Sequence, residues 1–147
     1  MEDSSSKRVK RLLSFRERAR EKAGSVVGAS KSRRDKAHNK LDNAKQVHTD
    51  EIDEVVNQMG KPFMAEDVHL AIICANAAES DVDERVRELG VAEKELDEKT
   101  RLLIEAHNRV KQMGELLKIM KERREKETRI KEQRELDDLV TTREASR

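Results

Sequence analysis

The chain has no Trp and no Tyr, two Phe, one Cys, one Pro and five Gly in 147 residues. With Phe15 and Phe63 as its only rings, it lacks the large side chains that dominate a thick globular core. A single cysteine, Cys74, rules out an internal disulfide. Its place beside Ala75 reads as that of a small hydrophobe in a helix contact. No run approaches the roughly 18 to 20 apolar residues that a membrane span needs. The opening Met1-Glu-Asp-Ser-Ser-Ser is acidic and polar, with no apolar stretch of signal-peptide type. A cytosolic protein without direct membrane insertion is expected.

What the chain has is charge: 43% Asp, Glu, Lys and Arg, balanced to a net +1. Most of these residues are helix formers set between periodic apolar positions, which argues for helix over disorder. Val68, Ala75, Val82, Leu89, Leu96, Leu103, Val110 and Leu117 recur every seventh residue, the seam of a coiled-coil helix. Three residues after each stand Ala71, Ala78, Arg85, Ala92, Lys99, Ala106, Met113 and Met120. This narrow stripe has two charged breaks and needs a second helix to cover it.

A weaker seam runs from Val9 through Leu12, Ala19, Ala23, Val26, Ser30, Ala37, Leu41, Ala44, Val47, Ile52 and Val55 to Met59. Ser5 or Ser6 is positioned to cap it. Gly24 and Gly28 interrupt it, marking either a loosened turn or a close approach by a partner backbone. Gly60-Lys61-Pro62 is the strongest punctuation: Gly suits the left-handed residue that ends a helix, and Pro opens the next. The expected fold is therefore all-α, an antiparallel two-helix coiled-coil hairpin. It forms one domain over 1–147, with helix 1 at about 6–59, a turn at 60–62 and helix 2 at about 63–142. Gly60, Pro62, Phe63 and Met64 form the tip, with Phe63 and Met64 expected to plug it against Val56 and Met59.

A hairpin centred near Lys61 sets Val9 opposite Met113 and Leu117 opposite Ser5. Helix 1 has nothing left to offer beyond Leu117, and the heptad fails at Arg124. Residues 121–135 read KERREKETRIKEQRE, polar on all sides except Ile130. Helix 2 is thus expected to overhang by some 20 to 25 residues, roughly 30 to 38 Å. Glu122 with Lys126 and Glu125 with Arg129 would support it at about 0.2 to 0.5 kcal/mol per pair. Leu136, Leu139 and Val140 end the overhang in an apolar cluster suited to docking or, alternatively, to a frayed tail.

Charge is separated along the sequence. Residues 7–36 carry twelve Lys or Arg against three acids, and residues 50–100 carry fifteen acids against five Lys or Arg. Such a distribution steers and orients encounters, or simply solvates a helical face. The arginines from Arg8 to Arg34 raise the question of nucleic acid. The lack of interleaved aromatics and the acidic half argue against that partner. His38, His48, His69 and His107 lack metal-site spacing, and neither a phosphate-binding glycine loop nor a nucleophile turn is present. An enzyme is not expected, and no cofactor.

The run from Met120 to Leu139 resembles the tail of the FliJ and YscO families of type III protein export. Arg134-Glu-Leu136-Asp137-Asp138-Leu139 matches their basic-acidic-Leu-Asp-acidic-hydrophobic ending. Arg11-Leu-Leu-Ser-Phe-Arg-Glu-Arg-Ala-Arg-Glu-Lys22 is similar to their first helix. The resemblance implies an antiparallel two-helix coiled coil like that of the rotary ATP synthase gamma subunit. It implies a central stalk at the hexameric type III secretion ATPase, flagellar or injectisome, peripheral to the inner-membrane export apparatus, with contacts to the export gate protein and secretion chaperones. Arg123, Arg124, Ile130, Arg134, Leu136, Asp137, Asp138 and Leu139 are then the expected partner-binding residues. The alternative is a general coiled-coil adaptor or oligomerising spacer unrelated to secretion.

Overall fold

The computed structural model describes residues 3–62 and 64–146. They form two α-helices, α1 (Ser4–Met59) and α2 (Ala65–Ala145), with no strand among the described residues. The helices pack against each other as an antiparallel hairpin.

α1 begins at Ser4, where the Asp3 carbonyl accepts from the Lys7 amide at 3.2 Å. Ser6 is buried at 6% exposure, so it packs in the seam rather than capping the helix. At the other end, the Gly60 amide donates to the Val56 carbonyl at 3.1 Å and Lys61 to Gln58 at 3.5 Å. No described residue has a positive φ, Gly60 included. The expected left-handed glycine is absent. The helix instead tightens over its last turn and stops at Pro62, which lacks an N–H and disfavours helix at Lys61. Met64 accepts from the amides of Asp67 and Val68, and Glu66 and Asp67 place negative charge in the first turn of α2, where the helix dipole favours it.

By Cα packing the chain divides into two compact units, one comprising the residues up to Glu21 with those from Ile104 onward, the other Lys22–Leu103. In the second unit, α2 buries or half-buries Val68, Ala71, Ala75, Ala78, Val82, Arg85, Leu89, Ala92, Leu96, Lys99 and Leu103, the residues its heptad predicts. α1 answers with Ala23, Val27, Ser30, Arg34, Ala37, Leu41, Ala44, His48, Glu51, Val55 and Gln58. This is a strict alternation of three- and four-residue steps, the 3.5 average of a coiled coil.

The α1 seam keeps the expected Val9, Ala23, Ser30, Ala37, Leu41, Ala44 and Val55, with Ala19 and Val26 half-buried beside it, and departs from the expectation elsewhere. Val47, Ile52 and Met59 are exposed, and the seam passes through His48, Glu51 and Gln58 instead. Choosing the nearest apolar residue at each step lets the register drift, whereas the partner's seven-residue repeat holds it fixed.

Ser30 is the most deeply buried of the described residues, at 1% exposure. Its Oγ accepts from the Arg33 guanidinium at 3.2 Å, and the same nitrogen of Arg33 reaches Glu95 at 2.8 Å. This cross-helix bond marks the register, since a hairpin centred on Lys61 would have put Arg33 opposite Leu89. The midpoint of this pair is Met64 and not Lys61, so the two helices are staggered relative to the expected pairing. At this register Arg34 lies level with Ala92 and His48 with Ala78, so long polar stems lie over alanines and carry their heads to water.

Arg85, at a seam position of α2, turns back along its own helix to Glu88 at 3.0 Å and Asp81 at 3.5 Å. The hydrogen bond to Glu88, then the charges of Glu88, Asp81 and Glu84, hold its pKa above the ordinary arginine value.

Three smaller expectations are also corrected. Cys74 is exposed, one step off the seam. α1 is unbroken at Gly24 and Gly28, and a Cβ on either would meet nothing within 4 Å, so neither a loosened turn nor a close backbone approach occurs there. Val56, Met59 and Met64 are exposed and do not plug the tip, and Phe63 lies outside the described residues.

Candidate functional site

The site is built in the unit that holds the start of α1 and the end of α2. Here α1 contributes Ser6, Val9, Leu13, Arg16 and Arg20 to the seam, and α2 contributes Ala106, Val110, Met113, Leu117, Met120 and Arg124. Leu12, expected in the seam, is 48% exposed, and Leu13 takes its place. Ser6, Lys10, Leu117, Lys118, Lys121 and Arg124 line one concavity. Pairing therefore continues a full heptad past Leu117, and Arg124 is its half-buried last position rather than part of the overhang.

From Glu125 to Ser146 every residue is exposed, yet α2 stays helical to Ala145. The overhang is about 21 residues, or roughly 32 Å at 1.5 Å per residue. Its length agrees with the expectation although its base lies nearer Arg124 than Leu117.

Local hydrogen bonds run along this arm. Thr128, Thr141 and Thr142 donate to the carbonyls of Arg124, Asp137 and Asp138 at 2.8 to 2.9 Å. The Gln133 amide donates to the Asp137 carboxylate at 3.1 Å. The expected ion pairs of Glu122 with Lys126 and Glu125 with Arg129 are not among those formed. Exposed pairs of this kind are weak, and helicity here rests on the backbone ladder and on residues of high helix propensity.

The expected partner-binding residues separate into two faces. At 100° per residue, Arg123, Ile130, Arg134 and Asp137 share one side, with Asp138 at its margin and Arg124 turned further, toward the seam. Leu136 and Leu139 stand on the other side, where Leu136, Leu139, Val140, Thr142, Arg143 and Ser146 line a shallow apolar groove. Leu136 is 57%, Leu139 66% and Val140 56% exposed, and Ile130, on the first side, is 44% exposed.

Arg143 lines this groove and was not among the expected partner-binding residues. Its spacing, seven residues past Leu136 and four past Leu139, is the signal that could have found it. The arm thus has one mostly charged face and one apolar stripe ending in a cation.

No three of the described His, Cys, Asp and Glu residues are grouped to hold a metal ion. No described helix is long and apolar enough to cross a membrane. The tip residues Gly60, Pro62 and Met64 are exposed and lie in the other unit.

The family model described as "Flagellar FliJ protein" matches residues 5–147. No curated protein and no solved structure matches the chain.

Proposed function

The chain belongs to the FliJ family, and from that premise we propose that it is a non-enzymatic stalk that docks to the hexameric ATPase of a flagellar or injectisome export system. Membership itself implies a role in flagellar or type III protein export. The finer reading rests on one observation: α2 continues as an exposed helix for about 21 residues after its partner ends. A ring lumen accepts a narrow helical end, and the two faces offer it separate contacts. The apolar stripe of Leu136, Leu139 and Val140 seats in a hydrophobic groove, while Arg123, Arg134, Asp137 and Asp138 meet polar walls. The export gate and the secretion chaperones are further proposed partners, and the site of action is the cytoplasmic periphery of the inner-membrane apparatus.

Removing residues 125–147 tests this reading. Loss of ATPase binding with most far-UV helicity retained is the expected result, and binding equal to that of the full chain would favour the adaptor reading instead. Leu136→Asp with Leu139→Asp is expected to weaken ATPase binding at least tenfold, consistent with desolvated apolar anchors. Ile130→Asp, on the other face, is expected to cost less.

A further inference from the structure

The first turns of α1 carry a surface that the stalk reading does not use. Ser6, Val9, Leu13, Arg16 and Arg20 point into the seam, and the opposite face presents Arg8, Arg11, Phe15 and Arg18, all exposed. These four lie within a sector of about 80° at 100° per residue. No acidic residue of this segment falls in the sector: Asp3 and Glu21 lie about 60° beyond its edge and Glu17 further still. Phe15 is 60% exposed in the middle of the three arginines. Ser4, Lys7, Arg8 and Arg11, three cations and a hydroxyl, line a shallow notch at the start of this face.

The apolar part of this surface continues onto α2. Leu12 immediately precedes seam residue Leu13, and Leu116 immediately precedes seam residue Leu117. Arg33 and Glu95 hold the same places relative to Arg34 and Leu96, and they bond across the seam at 2.8 Å. Positions of this kind share one edge of the antiparallel pair, so Leu12 at 48% and Leu116 at 39% exposure stand along the same side. Ile119, 53% exposed, lies one turn further along, and Arg109, exposed and seven residues before Leu116, adds a cation to that edge.

We propose that this face, with Arg8, Arg11 and Arg18 around Phe15 and Leu12 beside it, adsorbs to anionic phospholipid at a bilayer surface. Arginines meet headgroup phosphates, and the ring seats at the boundary with the acyl chains. Charge complementarity selects this occupant. A partner helix needs a continuous apolar stripe to bury, and here Phe15 stands among cations while on α2 Leu116 lies between Arg109 and Arg123 at seven-residue spacing. A nucleic acid strand needs several rings for successive bases, and only one stands here. A bilayer surface asks only for cations spread over a few turns and an apolar side chain able to enter the interface. The charge supplies attraction and Phe15 supplies residence, the two signals that stable peripheral binding requires. This inference stands apart from the ATPase-docking reading, since it involves the outer face of α1 and not the arm.

The test is co-sedimentation of the full chain with phosphatidylcholine vesicles, with and without phosphatidylglycerol. Pelleting with the anionic vesicles alone, falling as salt rises, is expected. Phe15→Ala should lower partitioning about tenfold with helicity unchanged, and Arg8→Glu with Arg11→Glu should reduce it to background. Equal pelleting with both vesicle types, pelleting with neither, or binding indifferent to these substitutions would overturn the proposal. Displacement by inorganic phosphate at the lipid-phosphate concentration would reassign the notch to a free anion. Displacement by single-stranded RNA, lost in the same variants, would reassign the face to nucleic acid. Either result defeats the membrane reading.

Discussion

α1 and α2 bury residues at the same alternating steps, yet they fill those steps differently. α2 supplies Val, Leu, Met and Ala at nearly all of its positions, with Arg85, Lys99 and Arg124 as exceptions, whereas α1 places Arg16, Arg20, Arg34, His48, Glu51 and Gln58 in the seam. The difference teaches that one helix with a faithful heptad can impose register on a partner that has none of its own. Where α1 brings a long polar side chain, α2 tends to bring a small one: Arg34 stands level with Ala92, and His48 with Ala78. The polar stem covers the alanine and its head reaches solvent. The buried apolar set among the described residues is accordingly small, namely Leu41, Ala44, Ala71, Ala78 and Val110.

The sharpest way to break this comparison is at Leu41, the large buried apolar side chain that α1 does contribute. Leu41→Ala is expected to destabilise by about 3 kcal/mol, read as a fall in Tm, while Leu12→Ala should leave Tm nearly unchanged. Similar losses at both positions would mean that the expected seam, and not the observed one, is correct.

Glu51→Leu tests the imposed register from the other direction. Adding apolar area at a half-buried seam position facing α2 should stabilise by about 1.5 kcal/mol, a gain that Leu at exposed Asp53 would not give. Smaller still, Gly28→Ala should stabilise by about 1 kcal/mol, since the helix is unbroken there and the added methyl meets nothing. A loss would restore the close backbone approach that the structure lacks. Arg33→Ala should cost under about 0.5 kcal/mol in urea unfolding. Its bond to Glu95 joins side chains 55% and 38% exposed, and such pairs mark register more than they supply stability.

The same contrast explains what could be read from the sequence. α2 was legible because its seam is apolar at a fixed interval, and the turn was legible because Gly60 and Pro62 are rare punctuation in this chain. The α1 seam was legible only where it is apolar or small, at Val9, Ala23, Ser30, Ala37, Leu41, Ala44 and Val55. Ser6, Arg34, His48 and Glu51 carry no hydrophobic signal, and their burial follows from a partner elsewhere in the chain. The offset of Arg33 onto Glu95 was equally hidden, because nothing in the local sequence fixes the stagger of the two helices. At the candidate site, the run of charge after Arg124 announced an arm. The division of its residues between two faces becomes plain only when Ile130 and Leu136 are placed on a helix, 120° apart at 100° per residue.

The seam of α2 has a consequence for the tether between Met59 and Ala65. Ala71, Ala78, Ala92 and Ala106 recur at multiples of seven, with Arg85 and Lys99 in the same series. Sliding one helix by a heptad, about 10.5 Å, would exchange Ala92 for Arg85 or Lys99 beside Arg34, so like charges penalise the slip. The two cations act as detents on a sliding bar, and cutting the tether should leave two strands that still settle into one alignment.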